Sequence, residues 1–128
     1  MKVLPFLLLT SVATPLPAAA CLPPWEEPER DGLDLVEVAG GRAKVVFENA
    51  RVRVLEVNVA PGERTGVHRH GEHLVVFLAP VEGQNIGVDG RPVPVRFESG
   101  AVHWGDPITH DTVNTGAAAT RNLIIELK

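Results

Sequence analysis

Residues 61–78 read Pro61-Gly62-Glu63-Arg64-Thr65-Gly66-Val67-His68-Arg69-His70-Gly71-Glu72-His73-Leu74-Val75-Val76-Phe77-Leu78, and this stretch decides the fold. It opens on a turn signal, Ala60-Pro61-Gly62, and closes on an apolar run rich in β-branched residues, the composition of a buried strand. Between them lies the pair His68-x-His70. On a strand, residues two apart point to the same face, so both imidazoles can meet one metal ion or ligand while Arg69 turns away.

The same alternation of short β-branched runs and turns extends in both directions from Ala43 to Lys128. Candidate strands are KVVFENA, RVRVLEVNVA, GVHRH, HLVVFLA, NIGVDG, RPVPVRF, AVHW, HDTVN and TRNLIIELK, eight or nine in all. The clearest is 51–59. Its alternation places Val52, Val54 and Glu56 on one face and Arg51, Arg53, Leu55, Val57 and Val59 on the other, with a slip near Leu55 that allows a bulge. Asp89-Gly90-Arg91-Pro92, Ser99-Gly100 and Asn114-Thr115-Gly116 supply further turns. Many short strands at this spacing predict an all-β sandwich, jelly roll or small barrel.

Upstream the pattern differs. Lys2, the apolar run Val3 to Leu9 and Ala18-Ala19-Ala20 have the layout of a bacterial export signal, too short and too Pro-interrupted to span a bilayer. The expected boundaries are therefore 1–20 for a signal peptide, 21–42 for an extended N-terminal arm rich in Pro and acid, and 43–128 for the barrel. Cys21 would be the first mature residue, either a plain N-terminal Cys or a lipid attachment point, and membrane association is expected only in the second case. The expected location is periplasmic or extracellular, with a lipoprotein anchored at Cys21 as the alternative.

Composition excludes several functions. A single Cys cannot form a disulfide within the chain, and a net charge of −4 with scattered Lys and Arg offers no basic face for nucleic acid. There is no nucleophile with an obvious base, no Gly-rich phosphate loop and no paired carboxylate in the histidine region, which sets aside hydrolase, kinase and glycosidase templates. All five His lie between positions 68 and 110.

Gly62, five intervening residues, His68-x-His70, and then His110 with Asn114 four positions later resemble the two sequence motifs of the cupin superfamily. The matching segments run from Pro61 to Asn114. The resemblance implies a double-stranded β-helix, a cupin-type jelly-roll barrel with a metal pocket between its sheets. Two departures are visible: Leu74 and Val75 stand where the first motif carries Glu, and Gly105-Asp106-Pro107-Ile108-Thr109-His110 exchanges the Pro and Gly of the second.

On this basis His68, His70 and His110 are the candidate ligands of a divalent transition metal (Fe, Zn, Ni or Mn), with no organic cofactor, and a metal-free pocket using the same histidines is the alternative. His73 has two readings. If Gly71-Glu72 is a two-residue hairpin turn, His73 shares a face with His70 and becomes a fourth ligand. If the family's longer spacing holds, Leu74, Val76 and Leu78 face inward and His73 outward, and that version is preferred. Asp111, Asn114, Glu72 or backbone carbonyls would orient the rings. Trp104 is expected either to roof the pocket or to be a plain core or rim residue, His103 to be exposed and outside the site, and Asn114 to be either a pocket residue or a turn former. Function is expected to be either a metal-dependent small-molecule enzyme, of oxygenase, isomerase or lyase type, or a binding or sensing protein without turnover. Family habit adds a homodimer as a candidate assembly.

Overall fold

The computed structural model describes residues 32–128; the expected export segment, Cys21 and the first part of the expected arm lie outside them. The chain enters through a helical turn, α1 (Leu35–Ala39), continues as a 3-10 turn (Gly40–Arg42), and then forms nine strands: β1 (Ala43–Glu48), β2 (Val52–Val59), β3 (His68–His70), β4 (His73–Phe77), β5 (Val81–Gly87), β6 (Pro92–Phe97), β7 (Val102–Gly105), β8 (Ile108–Asn114) and β9 (Thr120–Leu127). They pair antiparallel in two sheets, one ordered β1-β2-β9-β4-β7 and one ordered β3-β8-β5-β6. This is the double-stranded β-helix expected from the sequence.

The large sheet is built around β2 and β9, which run in unbroken register from Val52 opposite Leu127 to Val59 opposite Thr120. Strand β2 shows the alternation read from its sequence, with Arg53, Leu55, Val57 and Val59 buried. The slip sits not in β2 but in its neighbour, as a bulge between Val45 and Phe47 of β1. Leu55, Val57, Val59 and Ile124 form the core together with Leu35, Ala39 and Ala43.

The last part of the stretch expected to be an extended arm is helical instead. The Asp34 side chain accepts a hydrogen bond from the Val36 backbone N–H at 2.9 Å, capping α1, and Gly40 ends the helix at a φ of 57°. Leu35 and Ala39, four apart and so on one face, are both 1% exposed. One turn is too short to show a 3.6-residue period in sequence.

A second difference concerns the link between β3 and β4. Gly71-Glu72 is no hairpin turn, because β3 pairs with β8 in the small sheet while β4 pairs with β7 and β9 in the large one. It is a corner that carries the chain from sheet to sheet. On β4 the inward parity is His73, Val75 and Phe77, so the expected inward row of Leu74, Val76 and Leu78 is corrected; His73 is 5% exposed. At the outer edge of the small sheet, β6 carries Pro92 and Pro94, which suit an edge strand because they cannot donate to a further ladder.

Candidate functional site

His68 and His70 leave β3 on one face and are 2% and 3% exposed. The β3–β8 register sets His110 directly opposite His68. Ring centroids are 4.8 Å apart for His68 and His70, 4.7 Å for His68 and His110, and 5.8 Å for His70 and His110. One nitrogen from each of these three lies within 4.8 Å of the other two, a separation that one metal ion can bridge. His73 arrives from across the corner, its ring 4.6 Å from that of His70.

Three of the four rings are held by Nδ1. His68 Nδ1 donates to the Gly66 carbonyl at 2.7 Å and His73 Nδ1 to the Gly71 carbonyl at 2.7 Å. A carbonyl only accepts, so the proton sits on Nδ1 and the Nε2 lone pair is left free in each. His70 Nδ1 lies 2.9 Å from Glu126 Oε1, which fixes that ring in the same sense when the carboxyl is ionised. His110 differs: its Nδ1 is buried with no hydrogen-bond partner among the described residues. Gly66 is required for its part in this, since its φ is 88° and a Cβ there would stand 2.6 Å from Val38 Cγ1.

Glu126 begins a buried chain of charges. Its Oε2 accepts from Arg53 Nε at 2.7 Å, and Arg53 Nη2 donates to Asp34 Oδ2 at 2.7 Å. Asp34 is the residue that caps α1. Burial pushes the Glu126 carboxyl upward, but hydrogen bonds from His70 and Arg53 outweigh it and hold the group below the usual carboxylate range. For Arg53 burial is likewise opposed, and overcome, by Glu126 and Asp34, which raise it.

Burial also dominates at His68, His73 and His110. It pushes His68 down to about 4, against the opposing hydrogen bond to Gly66. His110 falls to about 3, first through burial and then through its crowding by His68, His70 and His73. His73 is lowered by burial as well. Near neutral pH these three rings are therefore uncharged, the form in which imidazole ligates a metal.

The histidines occupy one end of a cavity of about 430 Å³ between the sheets. Strand β7 borders it with the opposite parity to that expected. His103 pairs with Val75, on the inner face, and its ring is 5.5 Å from that of Phe97; Trp104 pairs with Leu74 and is 48% exposed. Trp104 touches the cavity rim; His103 is exposed as expected, but it too lines the cavity instead of lying outside the site. Asn114 also lines the cavity, but its amide is consumed in a clamp: Nδ2 donates to the Val59 and Ala118 carbonyls at 2.8 Å, and Oδ1 accepts from Gly116 N–H at 2.9 Å. Of the expected ring-orienting groups, the carbonyls are found and Asp111 is not, being bonded to Arg64 and to Gly66 N–H.

Sequence reasoning missed Glu126, Asn122 and the Phe77–Phe97 pair. A signal for Glu126 was present, since it shares the parity of buried Ile124 in the otherwise apolar run from Leu123 to Leu127.

No protein-family model matches the chain, and neither does any curated protein. Solved structures do. A cupin domain from Bordetella pertussis Tohama I is 26% identical, with a TM-score of 0.63 over 67% of this chain and 91% of that one. A cupin family protein with a double-stranded β-helix from Methanocaldococcus jannaschii is 10% identical, with a TM-score of 0.55 over 66% and 77%. A polyketide cyclase from Streptomyces resistomycificus is 21% identical, with a TM-score of 0.50 over 66% and 63%. Two sheets in this strand order, the histidines they bring together from both motifs and these likenesses make the chain a member of the cupin superfamily.

Proposed function

We propose that this cupin binds a small molecule beside a divalent transition metal held by His68, His70 and His110, with His73 as the fourth candidate ligand. The observation that carries the reading is the set of nitrogens without a hydrogen-bond partner among the described residues: Nε2 of His68 and His70, whose Nδ1 atoms are engaged, and the buried Nδ1 of His110. A buried polar atom with no partner costs roughly 1–3 kcal/mol, a cost that a bound ion would remove. A metal in such a site supplies Lewis acidity toward a substrate oxygen, chemistry shared by oxygenases, isomerases and lyases. The chain's own part is to hold the rings by Nδ1, to keep His68, His73 and His110 uncharged, and to exclude water with the apolar walls of the cavity.

Export belongs to the same proposal. Residues 1–20 would direct the chain out of the cytoplasm and be removed, leaving Cys21 first, free or lipidated. Mass spectrometry of the protein secreted by a bacterial host would show a start at Cys21, and retention of Met1 to Ala20 would overturn this part.

The metal is tested by measuring metal content of the tag-free mature protein beside His68→Ala and His110→Ala. Near one equivalent in the parent, lost in both variants, supports the reading. Less than about a tenth of an equivalent in the parent, after equilibration with Zn, Fe, Ni and Mn in turn, overturns it and leaves a metal-free binding cupin.

A further inference from the structure

The end of the cavity away from the histidines has a chemistry of its own. Phe77 of β4 and Phe97 of β6 stack with centroids 4.1 Å apart and planes at 9°, and His103 leans on Phe97. Val57, Val75, Val81, Val95 and Ile124 complete an apolar wall. Into this wall β9 sends Asn122, opposite Phe77 on β4 and Val57 on β2. Its Oδ1 is fully buried with no hydrogen-bond partner among the described residues. From the small sheet Asn85, at the inward parity opposite Thr112, lines the same space. Among the described lining residues Asp106 is the only ionisable side chain besides the histidines, and none is Lys or Arg.

These features select a ligand. An isolated carboxylate or phosphate moved into this wall, away from the histidine end, would lose its hydration with no cationic side chain among the described lining residues to replace it, a large cost. A flat apolar ring, by contrast, finds aromatic faces to pack on, and a hydroxyl or N–H on its edge would satisfy the Asn122 oxygen. From this we infer that the ligand of the cavity is an uncharged, planar ring compound carrying hydroxyl or carbonyl groups at its edge, oriented by the Asn122 carboxamide. The inference rests on the proposed small-molecule function but not on the presence of a metal.

The test is calorimetric titration of the mature protein, as isolated, with 2-naphthol and with its charged counterpart 2-naphthoate at neutral pH, metal content being measured on the same samples. The expected result is binding of 2-naphthol at least tenfold tighter than 2-naphthoate. Asn122→Leu should weaken 2-naphthol about tenfold, equivalent to about 1.4 kcal/mol, without lowering the thermal midpoint, because the substitution removes an unpaired polar group from an apolar wall. Phe97→Ala, on an edge strand, should weaken 2-naphthol independently. Equal or tighter binding of 2-naphthoate overturns the inference, as does unchanged 2-naphthol affinity in both variants. A stoichiometric metal together with a preference for 2-naphthoate would overturn this ligand class while leaving the metal site standing; 2-naphthol binding without metal would do the reverse.

Discussion

Nδ1 of His70, on the small sheet, lies 2.9 Å from Oε1 of Glu126, on the large one, so this contact ties the two sheets together at the site. Glu126 is in turn held by Arg53 at 2.7 Å. The carboxylate therefore sets the orientation of the one candidate ligand whose Nδ1 rests on a side chain rather than on a backbone carbonyl.

Glu126→Gln keeps the shape but removes the charge and gives the amide a choice of orientations. Metal affinity is expected to fall about 10–100-fold, the usual effect of losing a partner that orients a ligating histidine. Competition against a chromophoric chelator measures it. An unchanged affinity would show that Glu126 serves the fold and not the site.

The depressed His68 and His110 values make a pH prediction for the metal-free protein. A histidine whose folded value lies below its unfolded value of 6.5 binds fewer protons when folded, so stability increases with pH across the interval between them. Stability is expected to be full above about pH 6.5 and to fall progressively toward pH 4 and then pH 3. Glu126, also held low when folded, adds a further loss below its unfolded value of 4.5. Urea midpoints measured from pH 7 to pH 4 should decline, and His110→Asn should flatten the decline. A parent profile flat over that range would be incompatible with buried, uncharged rings.

Gly105 stands opposite His73 across the β4–β7 ladder, and a Cβ there would overlap the His73 ring. Gly105→Ala is expected to cost roughly 1–3 kcal/mol through overpacking. The double variant with His73→Ala should recover part of that loss, because the clash needs both side chains. Thermal or urea unfolding of the two single variants and the double variant reads the coupling directly; strict additivity would mean that His73 does not pack where the structure puts it.

Asp34 has two tasks, capping α1 and balancing Arg53. Asp34→Asn retains a capping oxygen but loses the charge; Asp34→Ala loses both. Breaking a buried ion pair typically costs about 3–5 kcal/mol and losing a cap about 1 kcal/mol, so both variants should be clearly destabilised and Asp34→Ala the more so. Denaturant midpoints of the pair decide the order, and equal values would remove the capping role.

The fold was legible because its evidence is local and periodic. The parity of Arg53, Leu55, Val57 and Val59 follows from a strand repeat of two, and the same repeat aims His68 and His70 together. His110 could be paired with them only through a motif resemblance, since nothing local in Ile108 to Asn114 says which strand lies opposite. What stayed hidden depends on changes of sheet. His73 faces inward because the chain turns a corner at Gly71-Glu72, a step that no hydrophobic pattern records. The inward role of His103, rather than Trp104, likewise follows from a β7 register fixed by β4.

The capped turn at Leu35–Ala39 and the Asp34–Arg53–Glu126 chain have a practical consequence for where the folding unit starts. A fragment trimmed to the barrel strands, beginning at Ala43, would take away Asp34 and two core side chains, Leu35 and Ala39. It would also lose the Leu33 carbonyl, which accepts from Arg69 N–H at 2.8 Å between the two histidines of β3. Residues 33–42 thus work as a keystone: cut away, they would loosen the histidine end of the cavity before any strand of the barrel had been touched.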